Sequence, residues 1–267
     1  MAKAARENRY KAILAKIFED RFLPGATDIP FSRDDLPAAA AELGIELPKN
    51  LGDVVYALRY RTPFPAAILA QQPEGKEWII VGRGRSQYAF VLGDSNRIEP
   101  NPALASIKIP DSTPEIIAAY AQSDEQALLA KVRYNRLIDI FLSVTAYSLQ
   151  SHLRTNVAGY GQIEIDEVYV AVDRTGRHFI VPVQAKGGKD RHSVVQTKQD
   201  MLFCEERYPS LVCRAVSAQF MNDDLIAMFE LGLEDGRVVI QQERHYRLCA
   251  STEIEAEDLS SYNSAAD

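Results

Sequence analysis

Four polar residues on two β-prone segments carry the strongest chemical signal in the chain. Glu164 and Asp166 stand two apart in the segment Gln162–Val172, and Gln184 and Lys186 stand two apart in His178–Lys186. Side chains alternate faces along a strand, so each pair is co-facial. The turn-rich stretch Asp173-Arg174-Thr175-Gly176-Arg177 between them predicts a hairpin that brings the acids and the Gln/Lys pair to one edge of a sheet. Oxygen donors of this kind suit Mg²⁺. Hydrolysis of a phosphodiester needs relief of the negative charge that builds in the transition state, and a water acidic enough to attack at neutral pH. Bound Mg²⁺ supplies both, and the Lys186 ammonium can position the attacking water. The plain alternative is a structural ion-pair cluster of Glu164, Asp166 and Lys186 in an ordinary α/β domain.

The elements that must hold these residues follow from the apolar spacing. Leu128, Leu129, Val132, Ile138, Ile140, Phe141 and Val144 recur at helical intervals, so one long helical segment, broken at most once, is expected over Ser123–Leu153. Pro182 interrupts the second motif strand, and a local bulge is expected there because proline cannot donate to a ladder. A helix over about Ser193–Arg207 carries Gln196, Gln199 and Asp200 within one turn, and Lys189, Arg191 and His192 stand on its approach. Gln196 is a further site candidate. For Gln199 and Asp200 a solvated helix face is at least as good a reading as a place bordering the site, and His192 reads as a phosphate contact or surface residue, since no Ser or Asp arrangement points to histidine-based catalysis. Further strands are expected at Leu211–Gln219, Ile226–Leu231 and Val238–Glu243.

The first hundred residues have a different pattern. Ile13, Leu14, Ile17 and Phe18 mark a first helix, ended by Leu23-Pro24-Gly25. Ser32 and Asp35, flanked by Phe31 and Leu36, predict a capping box and staple ahead of a second helix reaching about Glu42. Asn50 and Asp53 predict a third helix, ending near Arg61-Thr62-Pro63. Glu77–Val81 and Gln87–Leu92 then read as a hairpin with the basic tip Gly82-Arg83-Gly84-Arg85-Ser86. This order resembles a winged helix-turn-helix, whose third helix enters the major groove of DNA while the wing touches the backbone. The resemblance makes Lys49, Asn50, Arg59, Arg61, Arg83 and Arg85 candidate DNA contacts, joined by Lys189 and Arg191 from the second half. The alternative is an α+β domain whose arginines only solvate its surface.

Bulk properties bound both readings. With 267 residues and 46% apolar content, the chain can fill one large core or two modest ones. Cys204, Cys213 and Cys249 are odd in number and widely spaced, which excludes a C-x-x-C zinc site and fits a reducing compartment. The polar N-terminus and the lack of a ~20-residue apolar run predict a cytoplasmic protein without a membrane partner. The net charge of −7 counts against a protein basic all over, but the acids Glu253, Glu255, Glu257, Asp258 and Asp267 crowd the last segment, which is expected to be a mobile solubilising tail.

At its central motif the chain resembles the PD-(D/E)XK nuclease superfamily, type II restriction endonuclease-like. Gly161-Gln-Ile-Glu-Ile-Asp166 is similar to the strand bearing that family's first acid, and Val183-Gln184-Ala185-Lys186-Gly187-Gly188 to its (D/E)-x-K strand, with element order matching over about 133–231. The resemblance implies an α/β fold with a mixed sheet flanked by helices, preceded by the smaller winged-helix-like α+β domain. The expected organisation is 1–105 for DNA binding, 106–130 as linker and helix, 131–250 as the nuclease domain and 251–267 as the tail. It implies Asp166, Glu164 and Gln184 as metal ligands, Lys186 as the catalytic lysine, and Mg²⁺ as cofactor with Mn²⁺ able to substitute. It further implies duplex DNA as substrate, cleaved by a homodimer of restriction or phage-defence type, a structure-specific resolvase or repair nuclease being a further possibility. Gln184 departs from the family acid and brings no negative charge. That departure keeps open the alternative of a non-catalytic DNA-binding regulator or accessory subunit on the same scaffold.

Overall fold

The computed structural model describes residues 2–47, 50–52, 54, 55, 58, 63–94, 98–120, 125–157, 161–187, 192–222 and 225–264. It divides into two compact units, Met1–Arg97 with Thr155–Ile163, and Ile98–Arg154 with Glu164–Asp267.

In the first unit, helix α1 (Ala2–Arg21) buries Tyr10, Ile13, Leu14, Ile17 and Phe18, the 3-4-3-4 spacing of a single helical face. Strand β1 (Asp28–Ser32), helix α2 (Asp35–Glu42), a short helix α3 (Ala66–Leu69) and the hairpin β2 (Lys76–Gly82) and β3 (Gln87–Asp94) follow. The three strands form an antiparallel sheet in the order β1-β3-β2. Phe18 meets the edges of Trp78 and Phe90 at ring separations of 5.1 and 5.2 Å, and Phe31 stacks on Phe90 at 4.7 Å, so aromatic contacts fill the centre of this core. The hairpin stands where the sequence predicts it, its turn allowed by Gly84 at φ 106°. Strand β1 is unexpected. The capping box is half formed, with the Asp35 carboxylate accepting the Ser32 N–H at 2.6 Å, but Ser32 ends a strand and Asp34 occupies the cap position. Pro30 reads against a strand, and is tolerated because β1 lies at the sheet edge. Half of the third helix expected over Asn50–Arg61 falls outside the described residues; Gly52, Val54, Val55 and Leu58 within it are helical.

The second unit is α/β, with a mixed eight-stranded sheet flanked by helices. Its strands are β4 (Ser106–Pro110), β5 (Thr145–Val157), β6 (Gly161–Val172), β7 (His178–Lys186), β8 (Val212–Cys213), β9 (Ala215–Asn222), β10 (Leu225–Glu234) and β11 (Arg237–Cys249). They lie in the order β4-β11-β10-β9-β7-β6-β5, with β8 also on β7. β7 runs parallel to β8 and β9, and β11 parallel to β4. On one face, α5 (Glu125–Tyr134) and α6 (Leu137–Leu142) pack Leu128, Val132, Leu137 and Phe141 against Val181, Val183, Ala185 and Met228. On the other, α7 (Val194–Arg207) sets Met201 among Ala215, Ala227 and Phe229.

Three expectations fail for identifiable reasons. The long helical segment stops at Leu142, and Thr145–Val157 is a strand. No glycine or proline marks the breaks; they are made by Arg136 and Ser143 in the left-handed region, φ 51° and 54°, and by Asn135, whose amide nitrogen donates to the Lys131 carbonyl at 2.9 Å and to Thr113 Oγ1 at 3.0 Å. The stretch 106–130, read as linker and helix, begins with strand β4. The acidic C-terminal segment is not structureless. Helix α8 (Ala256–Ser264) docks on β4, where the Lys108 N–H donates to Tyr262 Oη at 2.9 Å and Lys108 Nζ meets Asp258 at 2.8 Å. It thereby covers a sheet edge that would otherwise expose unpaired backbone groups. A short helix, α4 (Glu115–Tyr120), follows Pro114, and the strand–turn–strand–helix run from β6 to α7 stands as predicted.

A left-handed serine carries a backbone cost that glycine escapes. Ser143→Gly is expected to raise the unfolding free energy by about 1 kcal/mol and Ser143→Val to lower it. Urea unfolding midpoints that move together, or not at all, contradict this account of the α6 terminus.

Candidate active site

The site begins where two strands part. β6 and β7 are paired antiparallel from Val172↔His178 to Glu167↔Val183, and the ladder ends there. Beyond it the Ala185 N–H is bonded by a side chain, the Asp166 carboxylate, whose Oδ2 accepts it at 2.8 Å. On its other edge β7 stays paired with β9 through Val183↔Val216 to Lys186↔Gln219. The motif strand is thus held on one side while its other edge opens toward Asp166. Pro182 makes no bulge: the β6–β7 register runs unbroken through Val168↔Pro182, and on the parallel side the Arg214 N–H donates to the Ile180 carbonyl at 3.0 Å before pairing resumes at Val183↔Val216.

Gln184 and Lys186 face α7, as the alternation requires, while Val183 and Ala185 enter the core on the α5 side. Gln184 is buried and all but saturated. Its amide nitrogen donates to Asp200 Oδ2 at 2.8 Å and to the Glu164 carbonyl at 3.0 Å, and its Oε1 accepts from Gln196 Nε2 at 2.9 Å. A reversed amide would set its oxygen against two acceptors, so this orientation is the satisfied one. Ser193 caps α7 by accepting the Gln196 N–H at 3.3 Å, which fixes the turn that carries Gln196. Lys186 is largely buried, with Nζ 3.8 Å from Glu125 Oε1 at the start of α5. Glu164, on the same face of β6 as Asp166, keeps about a quarter of its side chain exposed and pairs with Arg154 at 3.1 Å.

Charges in this pocket act on one another. Burial pushes the Asp166 carboxyl up from the ordinary carboxylate value, against the opposing pull of the Lys186 charge and the Ala185 N–H. Asp200 is pushed well above that value by complete burial, partly offset by the Gln184 hydrogen bond, with Asp166 adding to the rise and Lys186 opposing it. Asp200 was expected on a solvated helix face; it is 1% exposed, and its Oδ1 has no hydrogen-bond partner. The stripe Ser193, Gln196, Asp200, Cys204 at helical spacing, ending in a buried cysteine, is the sequence signal that places it inside. His192 is corrected likewise. Its ring lies against Phe229 at 5.7 Å and is hydrogen-bonded by the Ser217 hydroxyl, and burial with the nearby Lys186 charge lowers its pKa to about 3. A neutral imidazole is no phosphate-binding cation. Ser217, at 1% exposure, is too enclosed to act as a nucleophile on an outside substrate.

The structure therefore brings together Glu164, Asp166, Gln184, Lys186 and Gln196, and adds Asp200 and Glu125. The candidate DNA contacts fare less evenly. Lys49, Arg59, Arg61, Lys189 and Arg191 lie outside the described residues. Asn50 accepts the Gly52 N–H at 3.2 Å, Arg83 is ion-paired with Asp28 on β1, and Arg85 is exposed on the hairpin turn. Among the described residues no group of three His, Cys, Asp or Glu side chains is arranged to hold a metal, and no helix is long and apolar enough to cross a membrane. No family model, curated protein or solved structure matches the chain.

The histidine offers a direct check. Its folded pKa lies below the unfolded value of 6.5, so the neutral form favours the fold and stability is expected to fall as pH drops below 6.5. Imidazole NMR shifts should show no titration of His192 between pH 8 and 5. A midpoint inside that window contradicts the buried environment.

Proposed function

We propose that the chain is a Mg²⁺-dependent DNA endonuclease of the PD-(D/E)XK type, with the first unit as a winged-helix-like DNA-binding module. The observation that carries this reading is the parting of β6 and β7 at Asp166, which sets a carboxylate and the Lys186 ammonium within electrostatic reach of each other at the open edge of a parallel-paired strand. The order helix, antiparallel hairpin, helix, parallel strand supports the same fold type. In the first unit, the order α1-β1-α2 followed by the β2–β3 hairpin, with sheet order β1-β3-β2, supports the winged-helix reading.

The donors fit a hard cation. Asp166 and Glu164 offer carboxylate oxygens, Gln184 Oε1 keeps a lone pair beside its bond from Gln196, and Mg²⁺ is commonly held by one or two carboxylates with water and substrate phosphate completing the shell. Bound there, the cation supplies charge neutralisation and a more acidic water. Asp166 is fixed by its bond from Ala185, so little reorganisation is needed to present its other oxygen. Lys186, anchored on a buried strand and drawn toward Glu125, orients a nucleophilic water and stabilises charge on the phosphate. A second reading, a DNA-binding regulator on a nuclease-like scaffold, is favoured by Gln184, which is neutral and engaged in three hydrogen bonds.

Supercoiled plasmid incubated with Mg²⁺ or Mn²⁺ should be cut, and Asp166→Ala and Lys186→Ala should each lower the rate by at least about 100-fold while duplex binding survives. Undiminished cutting by both variants sinks the assignment; binding without cutting by the parent protein under either metal favours the regulator. For the hairpin turn, Arg85→Ala should weaken binding to all duplexes alike and reduce the slope of log K against log salt by about 1. An unaltered slope removes Arg85 from the interface.

A further inference from the structure

The fold brings Cys204 and Cys213 face to face. Helix α7 ends at Arg207, since Tyr208 precedes Pro209 and is held out of the helical region. The chain then reverses: the Tyr208 N–H donates to the Cys204 carbonyl at 2.8 Å, and the Leu211 N–H to the Tyr208 carbonyl at 2.9 Å. This turn lays β8 along β7 in parallel register, with Phe179↔Val212 and Ile180↔Cys213. Alternation sends Val212 into the core on the α5 side and Cys213 to the opposite face, where Met201 of α7 is packed. Cys204, one turn beyond Asp200 on the inward stripe of α7, is fully buried, and its thiol is in hydrogen-bonding contact with that of Cys213. The third cysteine is placed differently, with Cys249 Sγ against the Ile109 carbonyl at 3.9 Å.

We propose that Cys204 and Cys213 form a reversible dithiol–disulfide site, oxidised by hydroperoxides, that fastens helix α7 to strand β8. The two thiols differ in access, Cys213 being partly exposed and Cys204 enclosed. The contact with Cys213, then burial and the nearby acids, push the Cys204 thiol far above its ordinary value and keep it protonated. Cys213 is therefore the sulfur that meets the oxidant. As thiolate it attacks one peroxide oxygen, the O–O bond breaks, the other oxygen leaves as water, and Cys213 becomes a sulfenic acid. The Cys204 sulfur then displaces that hydroxyl: an S–S bond forms, the S–O bond breaks, and the Cys204 proton leaves with the oxygen as a second water. Two thiols thus give up two electrons and two protons, and one hydrogen peroxide becomes two waters. Where thiols are kept reduced the pair stays open, so the bond reports oxidant. The inference does not rest on the nuclease reading, although the helix it fastens is the one that carries Gln196 and Asp200.

The test treats the full chain with hydrogen peroxide and then alkylates it under denaturing conditions. The untreated chain should take up three alkyl groups and the treated chain one, with dithiothreitol restoring three. Trypsin should release peptides 199–207 and 208–214 joined to each other. Because the bond closes a short loop, oxidation should raise the melting temperature by about 5 °C. Cys213→Ser and Cys204→Ala should lose both the link and the rise, and Cys249→Ser should keep them. In Cys204→Ala the sulfenic acid on Cys213 should persist and be captured by dimedone; if that variant does not fold, Cys213→Ser carries the test, being a change at a partly exposed site. Three alkylated cysteines after peroxide, a link through Cys249 or to a second chain, or oxidation that dithiothreitol does not reverse overturns the proposal.

Discussion

A backbone N–H in the interior must find an acceptor, and at Ala185 that acceptor is the Asp166 side chain rather than a neighbouring strand. Much of the second unit's arrangement follows from this substitution. Had β6 continued its ladder past Glu167↔Val183, the edge of β7 would be closed, and Glu164 and Asp166 would lie over a continuous sheet. Because the carboxylate takes the bond, the strands separate at the position where Gln184 and Lys186 emerge on the same face. The parallel neighbour β9 keeps β7 rigid while this happens.

The opening is lined by groups that are held rather than free. Gln184 joins its strand to two other elements, bonding the β6 backbone and, through Asp200 and Gln196, helix α7. Such a network fixes geometry when satisfied and is costly when one member is not. Here the unsatisfied member is Asp200, whose Oδ1 has no hydrogen-bond partner. His192 and Ser217 form a neutral hydrogen-bonded pair near Lys186.

How much of this was legible depended on whether the deciding interaction was local. The β6 and β7 strands, their turn at Gly176 and helix α7 were readable because alternation, a turn-rich stretch and helical spacing all agreed. So was the shared face of Asp166 and Lys186. The break after α5 was not, because Arg136 and Ser143 adopt a conformation that their side chains do not advertise, and strand β5 continues the apolar spacing of the preceding helix. Strand β1 was hidden behind a capping signal that Asp35 does in part fulfil. The acidic terminal segment looked structureless because its docking depends on Lys108 and the backbone of β4, remote in sequence. Asp200 was misplaced for a related reason: a charged residue on a helix is ordinarily outside, and the stripe ending in the buried Cys204 is the local signal that outweighs this expectation.

The proposed cation site lies where β6 and β7 part, beside Asp166. Crystals grown with Mn²⁺ and measured near the manganese absorption edge test it most directly. An anomalous peak is expected at ordinary metal–oxygen distance, about 2 Å, from Asp166. A fully occupied peak elsewhere, or none beside Asp166 at saturating Mn²⁺, contradicts it.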